Sequence, residues 1–234
     1  MNICKLAFTI LACALPLAVN AQMGNMAQDT MNTTNSPQMG NMAPAMNASK
    51  MDNTGSDMMN AANPPKVGDM ASDFTLKTLD DQSVRLSDLT AKSDVVLVVL
   101  RGWPGYQCPF CTKQAHDYVN NAEKLTAAGV QVVMVYPGPA DDLKAHATDF
   151  LQDKDWPKDF LFVLDPDYSF TKSYGLRWDA PRETAYPSTF IISKEGKVTF
   201  AHVSKGHGDR VSSDTVLKAL NAGMMKDDMT KPGM

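Results

Sequence analysis

Two cysteines lie two residues apart in the segment "RGWPGYQCPFCT", which spans residues 101–112. Cys108 and Cys111 follow a run of apolar strand-forming residues and precede a predicted helix, in which Pro109 suits the first position. At a helix N-terminus a sulfur faces unpaired backbone amides and the positive end of the helix dipole, which favours the thiolate. The spacing therefore predicts a catalytic redox pair in which Cys108 is the more acidic and the more exposed sulfur.

Other roles for the pair fit the sequence less well. A stable local disulfide, or two thiols buried in a core, would not require a strand-to-helix junction with a proline inside it. A zinc site usually takes its four ligands as two pairs, and the spacing of the four histidines does not suit ligands (His116, His146, His202 and His207). We therefore predict no metal and no cofactor at the cysteines.

The first 21 residues, "MNICKLAFTILACALPLAVNA", predict a cleaved signal peptide. They contain one lysine, an apolar stretch interrupted by Pro16, and small residues before a cleavage site. The stretch is too short and too interrupted for a stable membrane span. We expect a periplasmic or secreted protein, with lipidation at Cys13 as the alternative.

Cleavage at this site also decides which cysteines remain. Removing residues 1–21 removes Cys4 and Cys13, so the mature chain keeps only Cys108 and Cys111. One close pair cannot link distant parts of a fold, which excludes a disulfide scaffold. The net charge of −4 and the lack of a basic stripe likewise exclude nucleic acid as a partner.

Residues 22–65 are rich in methionine and asparagine and contain "QMGNMA" twice, at 22–27 and at 38–43. This composition cannot bury enough apolar surface to offset chain entropy, so it predicts a disordered tether, and residues 223–234 predict a flexible tail. Each repeat carries an M-x-x-M pair, and thioether sulfur suits Cu(I). Copper binding is the alternative to a tether that merely scavenges oxidants.

Residues 66–222 predict one α/β domain. Two short strands, "FTLKTL" and "SVRL", precede the buried run "VVLVVL", and a helix from about Cys108 to Ala128 follows. The strand "VQVVMVY", a helix over residues 140–152, the strand "FLFVL" and a short helix come next, before a closing hairpin and a last helix capped by Ser212 or Ser213. This order predicts a central mixed sheet flanked by helices on both faces, with an N-terminal β-hairpin extension.

The segments "RGWPGYQCPFC" and "YPSTFII" resemble the thioredoxin-like superfamily, and the first is similar to its peroxiredoxin-like branch, the alkyl hydroperoxide reductase and thiol-specific antioxidant group. The resemblance implies that Pro187 is a cis-proline that contacts substrate. It also implies a proline, here Pro104, four residues before a hydroxyl residue and seven before the peroxide-attacking cysteine. In this chain Cys108 stands at the hydroxyl position, so a second cysteine replaces the hydroxyl residue. Cys111 stands at the position of the peroxide-attacking cysteine.

The resemblance further implies an arginine that stabilises the thiolate, although none precedes "STF" in this chain. Arg101, Arg177 and Arg182 are the substitutes, of which Arg101 lies nearest to the motif. Trp103 is expected to contribute to an apolar surface around the thiols. Together with Pro187, Pro104 and Arg101 it is predicted to bind substrate.

The function that follows is an exported thiol oxidoreductase with antioxidant, peroxide-reducing activity through a C-x-x-C dithiol/disulfide cycle. Its partners would be a peroxide or a protein disulfide and an unidentified thiol electron donor. A thioredoxin-like protein disulfide oxidoreductase and a methionine-rich copper-binding protein with a redox domain are the alternatives.

Overall fold

The computed structural model describes residues 63–230, with side chains described as far as residue 223. The predicted signal peptide and nearly all of the predicted tether lie outside the described residues. No helix in the part of the chain that the structure describes is both long enough and apolar enough to span a bilayer.

The described residues form a seven-stranded mixed sheet with helices on both faces, as predicted. The strand order is β2-β1-β5-β4-β3-β6-β7, in which the central β5, β4 and β3 are parallel and the outer pairings are antiparallel. The strands are β1 (Thr75–Thr78), β2 (Ser83–Arg85), β3 (Asp94–Val99), β4 (Val130–Gly138), β5 (Phe160–Pro166), β6 (Ser188–Ile192) and β7 (Val198–Val203). The predicted N-terminal hairpin is the β1–β2 pair, which joins the sheet at β5.

Six helices complete the described fold. They are α1 (Leu86–Thr90), α2 (Pro109–Asn120), α3 (Ala122–Ala127), α4 (Leu143–Leu151), α5 (Ser169–Ser173) and α6 (Ser213–Thr230).

Strand β3 directs the chain into the cysteine motif. Residues 95–99 of β3 are fully buried, because helices cover both faces of the sheet and the strand lies between β4 and β6. Its alternate side chains enter two apolar clusters, one on each face. A strand this firmly packed gives a rigid base, and its carboxyl end opens directly onto residues 101–108.

Two of the predicted helices have different bounds. The single helix expected from Cys108 to Ala128 is two helices, because the backbone of Asn121 leaves the helical region and its side-chain amide donates to the carbonyl of Asp117 at 3.0 Å. The last helix extends beyond Leu220 to Thr230, through residues 223–230 of the predicted flexible tail. Methionine and lysine in residues 223–230 favour helix, and no proline lies between Leu220 and Pro232.

Candidate redox site

The turn between β3 and α2 depends on Gly102. Its φ of +70° is in the left-handed region, and a Cβ at this position would lie 1.9 Å from the carbonyl oxygen of Pro137. The next residue, Trp103, donates its backbone N–H to that same carbonyl at 2.9 Å. The turn is therefore anchored to the end of β4 through a close approach that only glycine allows.

Cys108 and Cys111 occupy the first turn of α2. Cys108 is the N-cap residue with an extended backbone, Pro109 follows at the first helical position, and Cys111 faces the sheet. The backbone N–H of Arg101 donates to the Cys111 sulfur at 3.3 Å. Both thiols are free, with residue exposures of 1% and 0%, so the predicted difference in exposure is negligible.

The pKa values of the two thiols are shifted in opposite directions. The pKa of Cys108 is lowered to about 5 by the neighbouring Cys111 thiol, against the effect of burial, and the Cys111 backbone amide and the charge of Arg210 lower it further. Burial raises the pKa of the Cys111 thiol well above its ordinary value, and the interaction with Cys108 raises it further. At neutral pH the pair therefore carries one negative charge on Cys108 and one proton on Cys111. Cys108 is the more acidic sulfur, as predicted, but the main cause is the Cys111 thiol and not the helix N-terminus.

Arg210 supplies the cation at the thiols. Its Nη2 lies 3.9 Å from the Cys108 sulfur and 3.7 Å from the Cys111 sulfur. Its Nη1 donates to the side-chain oxygen of Gln114 at 3.2 Å, and its Nε donates to the carbonyl of His207 at 2.7 Å. A guanidinium held in this way can stabilise negative charge on either sulfur.

Arg101 has a different role from the one predicted. Its side chain is buried and its guanidinium donates to Glu183 at 2.6 Å, to the Tyr106 hydroxyl at 2.7 Å and to the Arg182 carbonyl at 2.7 Å. Burial alone would lower its pKa, but the hydrogen bonds to Glu183 and Tyr106 have the larger combined effect, so the pKa lies above its ordinary value. Its side chain makes only a minor contribution to the acidity of Cys108, so Arg101 mainly holds the wall of the site together.

Comparison with known proteins identifies the family. A family model described as Redoxin matches residues 66–218. The chain belongs to the redoxin family. The predicted resemblance to peroxiredoxin-like proteins of thioredoxin fold is thereby confirmed.

The curated relatives include chloroplastic peroxiredoxins Q from several plants. That of Triticum aestivum is 27% identical over 144 residues, covering 62% of this chain and 62% of the relative, so the match spans less than two thirds of the wheat protein. That of Sedum lineare is 27% identical over 149 residues, covering 64% of this chain and 74% of the relative. Among solved structures, peroxidoxin BcpB from Mycobacterium tuberculosis is 22% identical with a TM-score of 0.54, covering 68% of this chain and 97% of that one.

The other predicted substrate-binding residues of this redoxin lie at the same end of the sheet. Pro187 is buried and immediately precedes β6. Ser188, the first residue of β6, pairs with Val99, the last residue of β3, so Pro187 lies at the end of the sheet where the chain leaves β3. Pro104 is half-buried in the turn before Cys108. Trp103 stacks on the His146 ring at 3.6 Å between centroids, so it braces the turn against α4.

Arg177 and Arg182, the other two predicted substitutes, are engaged elsewhere. The guanidinium of Arg177 donates to backbone carbonyls of its own loop and lies 4.1 Å above the Tyr168 ring. Arg182 contributes its backbone carbonyl to Arg101. Arg210 occupies the place beside the thiols that was sought among these residues, although it was not singled out from the sequence. The nearest sequence signal was the placement of Arg210 just before the cap of α6.

An open cleft of about 320 Å³ lies between α2 and the loop before α6, and neither Cys108 nor Cys111 is among its lining residues. Phe110 forms part of its edge, is 45% exposed, and lies close to Gly208 of the opposite loop. Arg210 lines the cleft and also contacts the Cys108 sulfur through its guanidinium, so it connects the cleft to the thiols. Within residues 63–230, no group of three or more acidic, histidine or cysteine side chains is placed to hold a metal ion.

Proposed function

We propose that this redoxin is an exported thiol peroxidase that reduces a hydroperoxide by cycling Cys108 and Cys111 between dithiol and disulfide. One observation carries the proposal: two sulfurs on one helical turn share the Arg210 guanidinium, at 3.9 Å and 3.7 Å. A cation so placed favours the thiolate that attacks and can also stabilise the negative oxygen that departs.

The first step uses the acidity of Cys108. Its thiolate attacks the terminal peroxide oxygen, so that an S–O bond forms and the O–O bond breaks. The alkoxide leaves and takes a proton, which gives an alcohol from an organic hydroperoxide or water from hydrogen peroxide. The sulfur has lost two electrons to the peroxide and is now sulfenic acid.

The second step uses the proximity of Cys111. Its sulfur attacks the sulfenic sulfur of Cys108, the S–S bond forms, the S–O bond breaks, and the hydroxyl leaves as water with the Cys111 proton. The backbone N–H of Arg101, 3.3 Å from Cys111, is placed to stabilise that thiol as it loses its proton. A dithiol donor then restores both thiols by thiol–disulfide exchange, in which the donor itself becomes a disulfide.

Burial argues for a peroxide over the alternative substrate, a protein disulfide. With residue exposures of 1% and 0%, neither cysteine presents its sulfur at the surface, where a disulfide on another protein would have to meet it, whereas a small hydroperoxide needs a much narrower opening. A protein disulfide oxidoreductase would need the attacking sulfur at the surface, or a movement that uncovers it.

One experiment compares the alternatives directly. The reduced protein is mixed with hydrogen peroxide, an organic hydroperoxide and a disulfide-bonded protein, and the loss of free thiols is followed for each. We expect both peroxides to oxidise the pair faster than the disulfide, with intact mass showing the loss of two hydrogens. Two free thiols that persist under excess peroxide would refute the proposal.

Export rests on residues 1–21, which lie outside the described residues. Expression of the full chain in a bacterial host should give a periplasmic protein whose N-terminus is Gln22. Replacing the apolar stretch with polar residues should retain the full-length chain in the cytoplasm. A periplasmic protein that keeps its first residues would contradict cleavage.

Copper binding by residues 22–65 is a separate proposal carried by the two M-x-x-M repeats. Only the last residues of this segment are within the described part of the chain. The full mature chain should bind Cu(I) in competition with a chromogenic chelator, and serine at Met23, Met26, Met39 and Met42 should abolish binding while thiol oxidation continues. Equal Cu(I) affinity of the two proteins would end the copper proposal.

A further inference from the structure

The loop that carries Arg210 is fastened to the opposite wall of the site by one carboxylate. His207 Nε2 lies 2.9 Å from Glu183 Oε1, while Glu183 Oε2 accepts from Arg101 Nε at 2.6 Å. The Glu183 side chain is 11% exposed and the His207 side chain 35% exposed. Glu183 therefore joins the buried Arg101 to a loop that otherwise crosses the surface.

The same loop places Arg210 at the sulfurs through His207. The His207 backbone carbonyl accepts from Arg210 Nε at 2.7 Å, so the residue that contacts Glu183 by its ring also orients the guanidinium by its backbone. On its other side, the His207 ring lies 5.2 Å from the Trp178 ring, which limits its freedom. Glu183, His207 and Arg210 thus form a continuous chain of contacts that ends at both sulfurs.

We propose that Glu183 and His207 form a latch that positions the Arg210 guanidinium against Cys108 and Cys111. The two latch residues are positioning residues, since neither contacts a sulfur and each acts through the Arg210 loop. The inference rests on the proposed thiol function, because it assigns the latch the task of keeping one cation at the reacting sulfurs. Without the latch, Arg210 would still donate to Gln114 at 3.2 Å, but the His207 carbonyl that accepts from its Nε would lose its connection to Glu183.

The direction of the change in the Cys108 pKa distinguishes a positioning role of Glu183 from a direct effect of its negative charge. If Glu183 acted only through its own negative charge, removing it would lower the pKa of Cys108, because a nearby anion disfavours a thiolate. If Glu183 positions Arg210, removing it displaces a cation from the sulfurs and raises the pKa of Cys108. The two explanations therefore predict opposite shifts for Glu183→Ala.

The test measures thiolate absorbance in the ultraviolet against pH, in the Cys111→Ser background so that one sulfur is titrated. Arg210→Met should raise the pKa of Cys108 by about 1 to 3 units, the range for a cation within about 4–6 Å. His207→Leu should raise it by roughly 1 unit, and His207→Gln, whose amide can still reach Glu183, should restore most of the original value. His116→Leu makes the same change two turns beyond Cys108 on α2 and should leave the pKa unchanged.

Combining the substitutions decides whether the latch acts through Arg210. In the Arg210→Met background, His207→Leu should produce no further shift, because the cation that it positions is absent. An equal shift with and without Arg210, or a lower pKa of Cys108 in Glu183→Ala, would overturn the proposal. Should Glu183→Ala fail to fold, the His207 and Arg210 pair still decides the question. The titration uses no peroxide, so its result is independent of whether the proposed peroxidase activity is correct.

Discussion

The pH profile of peroxide oxidation identifies the sulfur that attacks. The observed rate is the product of the thiolate fraction and the nucleophilicity of that thiolate. With a pKa of about 5, Cys108 is about 99% ionised at pH 7. A cysteine with the ordinary value of 9.0 would be about 1% ionised there, and Cys111 has a pKa well above that value.

A single rate at neutral pH would not separate the two sulfurs. Nucleophilicity rises with basicity, with a Brønsted coefficient of about 0.4–0.5, so about four units of pKa return a factor of about 40 to 100. This gain nearly cancels the hundredfold deficit in thiolate. The shape of the profile differs much more than the rate at any one pH.

Attack by Cys108 gives a rate that rises as pH passes about 5 and is level above about pH 6.5, because its thiolate is then fully formed. Attack by Cys111 gives a rate that rises about tenfold per pH unit to beyond pH 9. Stopped-flow tryptophan fluorescence on the wild type should give the level profile, and Cys108→Ser the rising one. In Cys111→Ser the level part should begin at a higher pH, because the neighbouring thiol that lowers the pKa of Cys108 is absent.

Trapping of the sulfenic acid is the control. Cys111→Ser lacks the second thiol, so its oxidised form should accumulate and be labelled at Cys108 by a dione reagent. A wild-type rate that climbs tenfold per unit between about pH 6 and pH 9 would refute this reasoning and assign the attack to Cys111, the position that the peroxiredoxin resemblance implies.

Two further predictions concern stability. Gly102→Ala should lower the free energy of unfolding, measured in urea, by at least about 1–2 kcal/mol, which is the cost of the left-handed backbone alone. The loss should exceed this minimum because the added Cβ also meets Pro137. Gly105→Ala is the control and should lose less, because its φ is +104° but a Cβ there meets nothing within 4 Å. Arg101→Met should cost about 3–5 kcal/mol in the same assay, because it leaves the largely buried Glu183 without its main partner. Arg85→Met, which removes an exposed pair with Asp73, should have a far smaller effect, and similar losses in the two variants would contradict a structural role for Arg101.

The parts of the molecule that the sequence predicted are those determined locally. The buried strand β3 and the helix beginning beside Cys108 follow from hydrophobic runs and a proline at the first helical position. The direction of the Cys108 pKa shift was also predicted, from the helix dipole, although its main cause is the neighbouring Cys111 thiol. The break at Asn121 was missed because a side-chain hydrogen bond to the Asp117 carbonyl competes there with a favourable helical pattern.

The cations at the site could not be assigned from spacing. Arg210 reaches sulfurs 102 and 99 residues earlier in the chain, and Glu183 lies 82 residues from Arg101. Such contacts depend on how β7 and the loop before α6 return over α2, and no local pattern encodes that approach. Arg101 was favoured because it lies close in sequence, but its guanidinium is directed mainly at Glu183, Tyr106 and the Arg182 carbonyl.

The placement of Cys108 and Cys111 on one turn of α2 has a consequence for molecularity. Under the proposed cycle, both sulfur-centred steps occur within a single chain and within four consecutive residues, so neither requires an encounter between two protein molecules. Turnover per molecule should then be the same at nanomolar and at micromolar protein, with only the supply of oxidant and reductant limiting it. A protein that works in this way would keep its turnover per molecule on dilution, because neither sulfur-centred step depends on a second copy of the chain.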